Sequence, residues 1–66
     1  MIKILGVNYI TQKEAASRYG FSSAWFEGKR HKEEPPNYIK ISGKVLYDVN
    51  KTDEWFKNNM KKTDYV

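Results

Sequence analysis

Two consecutive prolines, Pro35 and Pro36, divide this chain into a part that can be helical and a part that cannot continue that helix. Proline excludes helical geometry from the residue before it, so a helix approaching the pair must stop short of it. Upstream, apolar residues recur at helical spacing. Downstream, Tyr38-Ile39-Lys40-Ile41 and Val45-Leu46-Tyr47 set β-branched and aromatic residues on both sides of Ser42-Gly43-Lys44, the pattern of a β-hairpin over residues 38–47.

The upstream part divides again. Thr11-Gln12-Lys13-Glu14 is a capping-box pattern, in which the threonine hydroxyl and the glutamate carboxylate each satisfy a free amide at a helix start, and it predicts a helix over residues 11–19. Ala15, Ala16 and Tyr19 share one face of it, and Gly20 stands where a left-handed residue ends a helix. After Phe21, Ser22 or Ser23 offers a side-chain oxygen to cap a second helix over about residues 23–32, which carries Gly28 at a cost of roughly 1 kcal/mol relative to alanine. Two short helices joined by a turn of about three residues form a helix-turn-helix pattern.

Beyond the hairpin a last helix is expected over about residues 50–61, capped by Asn50, with Asp53 and Glu54 near its positive start and Lys57, Lys61 and Lys62 toward its negative end. Residues 2–10 add a short strand around Val7 to Tyr9, and no internal repeat is expected. The fold class that follows is α+β: a single domain over residues 1–66, a small winged helix-turn-helix of three helices with a β-hairpin wing between helices 2 and 3. The expected core is Ala16, Tyr19, Phe21, Phe26, Ile39, Ile41, Val45, Tyr47, Trp55 and Phe56. Trp25 falls at its edge, because adjacent helix positions cannot both face inward.

Composition narrows the function classes. A chain of 66 residues has room for one domain, and its aromatic share of 15% supplies side chains that bury on the order of 150–250 Å² each. Without cysteine it has neither a disulfide nor a cysteine zinc site, and it suits a reducing compartment. The opening run Met1 to Val7 is too short, and too early broken by Lys3, for a signal or membrane segment. A complete cytoplasmic chain with no membrane attachment is the expectation. His31 has no second histidine or cysteine with which to hold a metal, and no spacing singles out a nucleophile, base and orienting group. Neither an enzyme nor a cofactor is expected.

Twelve Lys and Arg against eight Asp and Glu leave a net charge of +4, which favours polyanions. Lys29, Arg30, Lys32, Lys40 and Lys44 fall in one central stretch, diluted by Glu33 and Glu34.

The words Tyr9-Ile10-Thr11-Gln12-Lys13-Glu14-Ala15-Ala16, Gly20-Phe21-Ser22-Ser23-Ala24-Trp25-Phe26-Glu27 and Lys29-Arg30 occur in that order. Pro35-Pro36-Asn37-Tyr38-Ile39-Lys40-Ile41, Gly43-Lys44-Val45-Leu46-Tyr47 and Trp55 follow. Together they resemble the excisionase and AlpA-type helix-turn-helix family of phages and mobile elements, over roughly Tyr9 to Asn58. The combination is far more specific than any one word. The chain departs from the family pattern at Glu33 and Glu34, where members often carry glycines, and at Lys51, where an acidic residue is common.

The resemblance implies a winged-helix DNA-binding protein that acts as a recombination directionality factor beside an integrase attachment site, or as a transcriptional regulator of the same elements. By position it implies that Ser22, Ser23 and Ala24 open the recognition helix, that Glu27, Lys29 and Arg30 follow along it, and that Lys40 to Lys44 form the wing.

Residue chemistry gives each a task on double-stranded DNA and a plainer alternative. Serines at a helix start donate to phosphate, or merely cap. Arg30 pairs with guanine O6 and N7, or is a solvated charge. Lys29 suits a phosphate, and Glu27 either accepts from a cytosine amino group or pairs with a neighbouring lysine. His31, beside Arg30, offers a phosphate contact. Lys40 and Lys44 reach solvent from the wing. A domain with one short recognition helix covers few base pairs, so selecting a site calls for several copies side by side or a partner such as an integrase. The other function class is a protein-interaction module that uses the aromatic surface. RNA stacking is disfavoured because the aromatics fall at core positions.

Overall fold

The computed structural model describes residues 1–60. Strands β1 (Ile2–Ile4) and β2 (Val7–Thr11) form a hairpin that runs directly into helix α1 (Gln12–Tyr19). Helix α2 (Ser23–His31) follows after three residues. Strands β3 (Ile39–Ile41) and β4 (Lys44–Asp48) form a second hairpin that runs directly into α3 (Val49–Asn59). The four strands make one antiparallel sheet in the order β1-β2-β4-β3. This is a winged-helix-turn-helix-like α+β architecture, with the expected hairpin between the second and third helices. No described helix is long and apolar enough to cross a membrane.

Local chemistry sets the boundaries. Thr11 Oγ1 accepts from the Glu14 amide at 3.1 Å and Glu14 Oε1 accepts from the Thr11 amide at 3.0 Å, which closes the capping box. Gly20 ends α1 at φ 75°. Of the two serines, Ser22 is the cap, its Oγ accepting from the Trp25 amide at 3.1 Å. At the far end of α2 the Glu34 amide donates to the Lys29 carbonyl and the Glu33 amide to the Arg30 carbonyl, with Glu33 at φ 56°. This Schellman-type ending places a glutamate in the left-handed geometry that glycine adopts freely.

Helix α3 begins earlier than the sequence suggests. Asp48, not Asn50, is its cap, with Oδ1 accepting from the Lys51 amide at 3.1 Å. The earlier start brings Val49 into the helix, where it is buried along with Thr52. Lys61 and Lys62, expected at its end, lie outside the described residues.

Contrary to the sequence reading, the chain contains a repeat. Ile2-Lys3-Ile4-Leu5-Gly6 and Ile39-Lys40-Ile41-Ser42-Gly43 each place two successive positive-φ residues between a three-residue and a five-residue strand: Leu5 and Ser42 at 49°, Gly6 at 81° and Gly43 at 79°. In each unit the second strand leads straight into a helix capped by its last or next-to-helix residue, Thr11 or Asp48. The units pair with each other symmetrically. Ile10 stands opposite its own counterpart Tyr47, while Tyr9 faces Asp48 and Thr11 faces Leu46. A pseudo-twofold axis thus passes through the Ile10–Tyr47 pair, and α2 is the element inserted between the halves.

The core gathers at this pair: Ile10, Ala15, Ala16, Phe26, Tyr47 and Val49 are buried together, with Tyr19, Trp25, Val45 and Phe56 half-buried against them. Phe26 is fully buried and meets Tyr47 edge-on, ring centres 5.3 Å apart. Three expected core residues are instead exposed. Ile39 and Ile41, 38% and 45% exposed, occupy the pleat face opposite to Tyr47, as the Ile39–Leu46 register requires. Phe21, 43% exposed, sits in the turn between helices and stacks on Trp25 and Phe56 with part of its ring open. Trp55 is only half-buried. The sequence reading missed Ile10, Ala15, Leu46, Val49 and Pro36, all buried.

Candidate nucleic-acid interface

At about 100° per residue, a helix that points Phe26 inward turns Ala24, Gly28 and His31 outward, with Glu27 beside them. The structure agrees: Ser22, Ser23, Ala24 and Glu27 are exposed, and Phe26 is fully buried. The outward surface at the start of α2 is therefore small and polar. The cap leaves the first helical amides facing solvent, where a phosphate can accept from them. Gly28 adds to the low relief, since a Cβ there would meet nothing within 4 Å. Internal packing does not explain this glycine.

The basic residues of α2 lie differently. Lys29 and Arg30 fall about 60° and 40° from Phe26 around the helix, so both side chains leave along the flanks of the buried face. Lys29 Nζ stands 5.4 Å from the Trp25 ring centre and 3.6 Å from Glu34 Oε1. Arg30 Nε donates to Gln12 Oε1 at 3.0 Å, and its guanidinium carbon lies 5.7 Å from the Tyr38 ring centre. Gln12 was no candidate in the sequence. It stands 18 positions from Arg30, and only the fold brings them together. His31 Nε2 lies 3.9 Å from Glu27 Oε1, one turn apart and both exposed.

The wing supplies the second basic element. Lys40 and Lys44 are exposed, and Gly43 follows Ser42 in the tight turn between their strands. The cross-strand register sets Lys44 opposite Ile41 and Lys40 opposite Val45, so the two lysines leave opposite pleat faces of the same hairpin.

Between α1 and α3 an ion pair joins the halves. Arg18 Nη2 meets Asp53 Oδ2 at 2.8 Å, Arg18 Nε donates to Asp53 Oδ1 at 3.0 Å, and the Tyr19 hydroxyl donates to the same Oδ1 at 2.6 Å. Hydrogen bonds from Arg18 and then Tyr19 hold the Asp53 carboxyl below its ordinary value, while burial and the same carboxylate push the Tyr19 phenol up to about 12. These three groups tie α1 to α3 and are internal partners. Among the described residues no group of three or more His, Cys, Asp or Glu is placed to hold a metal ion.

No protein-family model, curated protein or solved structure matches this chain. The class that the fold defines is a winged-helix-turn-helix-like domain, geometrically compatible with DNA binding. The resemblance to the excisionase and AlpA-type family rests on the residues quoted for it.

Proposed function

We propose that this protein is a sequence-specific double-stranded DNA-binding protein without catalytic activity, and that it serves as a recombination directionality factor of the excisionase kind. The supporting observation is that a winged-helix-turn-helix-like domain exposes both a low-relief helix start at Ser22, Ser23 and Ala24 and a basic hairpin carrying Lys40 and Lys44. The helix start supplies amides and hydroxyls to phosphate and brings Glu27 to base edges, and the wing supplies further charge, Lys40 from one pleat face and Lys44 from the other. Lys29 joins them by exchanging Glu34 for a phosphate. Direct reading of guanine by Arg30 requires its guanidinium to leave Gln12 and Tyr38.

So small a footprint needs reinforcement, from further copies along the DNA or from an integrase. In this reading the domain bends attachment-site DNA, and the contacts of several wings offset a bending cost of several kcal/mol. The alternative output, transcriptional regulation of a mobile element, uses the same surface and is supported by the same family resemblance.

A salt titration of the purified protein on duplex DNA tests the binding itself. Neutralising about 5 phosphates gives a slope of log K against log salt of roughly −4 to −5. Binding that is absent or indifferent to salt overturns the reading. Footprinting on DNA flanking the encoding gene separates the outputs: protection inside an attachment site supports the directionality factor, and protection over a promoter supports the regulator.

A further inference from the structure

Arg30 leaves α2 toward the interior, and three elements converge on its guanidinium. Gln12 opens α1, Tyr38 leads into β3, and α2 carries Arg30 itself. The Gln12 carboxamide is held by a bond on each side: its oxygen accepts from Arg30 Nε at 3.0 Å, and its nitrogen donates to the Ser23 carbonyl at 3.1 Å. Turning the amide over would set donor against donor and acceptor against acceptor. The Tyr38 ring under the guanidinium carbon adds a cation–π contact, and a planar guanidinium held at Nε and at its face is fixed in orientation as well as place. Tyr38 in turn packs on Tyr47, ring centres 6.2 Å apart. Tyr47 is fully buried, and its hydroxyl has no hydrogen-bond partner among the described residues. A polar group so placed is costly to strand, and Arg30 is the charge that acts on it, opposing part of the rise that burial imposes on the phenol.

We propose that Arg30 is a positioning residue, which locks the wing to the recognition helix from inside the domain so that both elements meet one duplex together. This rests on the DNA-binding reading. It departs from the expectation that Arg30 itself reads a base, and it gives Gln12 a role in DNA affinity.

The locking step is measured without DNA, by hydrogen exchange of backbone amides in the free protein. Arg30→Ala and Gln12→Ala should each speed exchange across residues 39–47 by about tenfold while α1 amides keep their protection. Gln12→Ala keeps every charge and serves alone if Arg30→Ala does not fold. Unchanged wing exchange overturns the proposal whether or not the protein binds DNA.

The DNA arm uses two duplexes, one recovered by selection from a randomised library and one scrambled. Arg30→Ala and Gln12→Ala should weaken both duplexes by the same factor, about tenfold, and leave the salt slope unchanged. Lys44→Ala should cost the same in the Arg30→Ala background as alone, because the unlocked wing still makes its phosphate contact once bound and loses affinity only through the ordering that binding then requires. If Arg30 instead reads a base, Arg30→Ala weakens only the selected duplex, and Gln12→Ala frees the guanidinium without loss of affinity. If Arg30 contacts phosphate, Arg30→Ala flattens the slope by about one unit. Either result overturns the positioning role. Failure of the wild-type protein to bind either duplex sinks the DNA-binding reading, and wing exchange alone then decides whether Arg30 holds the hairpin.

Discussion

The first hairpin and the wing share a backbone and differ in what hangs on it. Both are three-residue and five-residue strands joined by two positive-φ residues, both begin Ile-Lys-Ile, and both feed a capped helix. Because β2 and β4 run antiparallel, the turns that precede them project from opposite ends of the sheet. At the first tip stands Leu5, 99% exposed, where the wing has Ser42. Val7 occupies the place of Lys44, and Asn8 that of Val45. The repeated positions build the sheet. The differing ones leave Lys44 in the second hairpin where the first has Val7, and α2 stands between the two halves in the chain.

Phe26→Ala should break the comparison most severely, because Phe26 covers the Tyr47 side of the pseudo-axis and belongs to the cluster that holds Ile10. The expected loss is about 3–5 kcal/mol, a large share of the stability of so small a domain, and a melting experiment should find little folded protein. Trp55→Ala should cost less, about 1–3 kcal/mol, since the ring is half-buried at the rim. Equal melting temperatures for the two variants would show that the core is not centred on the pseudo-axis.

The wing half was legible in the sequence and the first half only partly. Ser42-Gly43 between β-branched residues announces a turn, whereas Leu5-Gly6 hides one behind a large apolar residue, so only the strand near Val7 was expected. Capping-box chemistry located α1 within a residue because its signals are local. The burial of Ala15 and the exposure of Ile39 and Ile41 depend on which pleat face or helix face meets the rest, which no local signal fixes. The same holds at the interface. Composition and position flagged Ser22, Lys40 and Lys44, but neither discloses that Arg30 turns back to Gln12, or that Lys29 is occupied by Glu34.

The tie between the halves carries a pH signature. Asp53 has a folded pKa below its ordinary value, so its bonds to Arg18 and Tyr19 stabilise the fold above the ordinary carboxylate range, and that stability is lost as the pH falls through the lowered value. Tyr19 has the opposite sign: with its pKa raised to about 12, its contribution is complete below the ordinary phenol value and is lost as the pH rises toward 12. Asp53→Asn should lower the melting temperature at neutral pH and reduce its dependence on pH at both extremes. An unchanged acid limb would mean that the halves are held together by the apolar contacts alone.

Lys44→Ala and Lys3→Ala separate the hairpins as binding elements. The wing lysine should weaken binding to selected and scrambled DNA alike and flatten the salt slope by about one unit. Lys3, which matches Lys40 in the first hairpin, should change neither. A flattened slope with Lys3→Ala would make the first hairpin a second wing and would turn the comparison from difference to likeness.

The smallest effect bears on why the tips differ. Leu5 and Ser42 both adopt φ 49°, a conformation that costs an ordinary L-residue roughly 1–2 kcal/mol and that asparagine tolerates better. Leu5 gains nothing in exchange from burial, being 99% exposed, so Leu5→Asn should raise stability by about 0.5–1 kcal/mol. On a domain of this size that is a rise in melting temperature of several degrees, by roughly 4–8 °C per kcal/mol. Ser42→Asn should give a smaller gain, because serine already competes well for turn positions. The ordering matters more than either value. A larger gain at Ser42 than at Leu5 would mean that the leucine rests on a surface of the folded domain, and that the two turns are not equivalent in backbone strain.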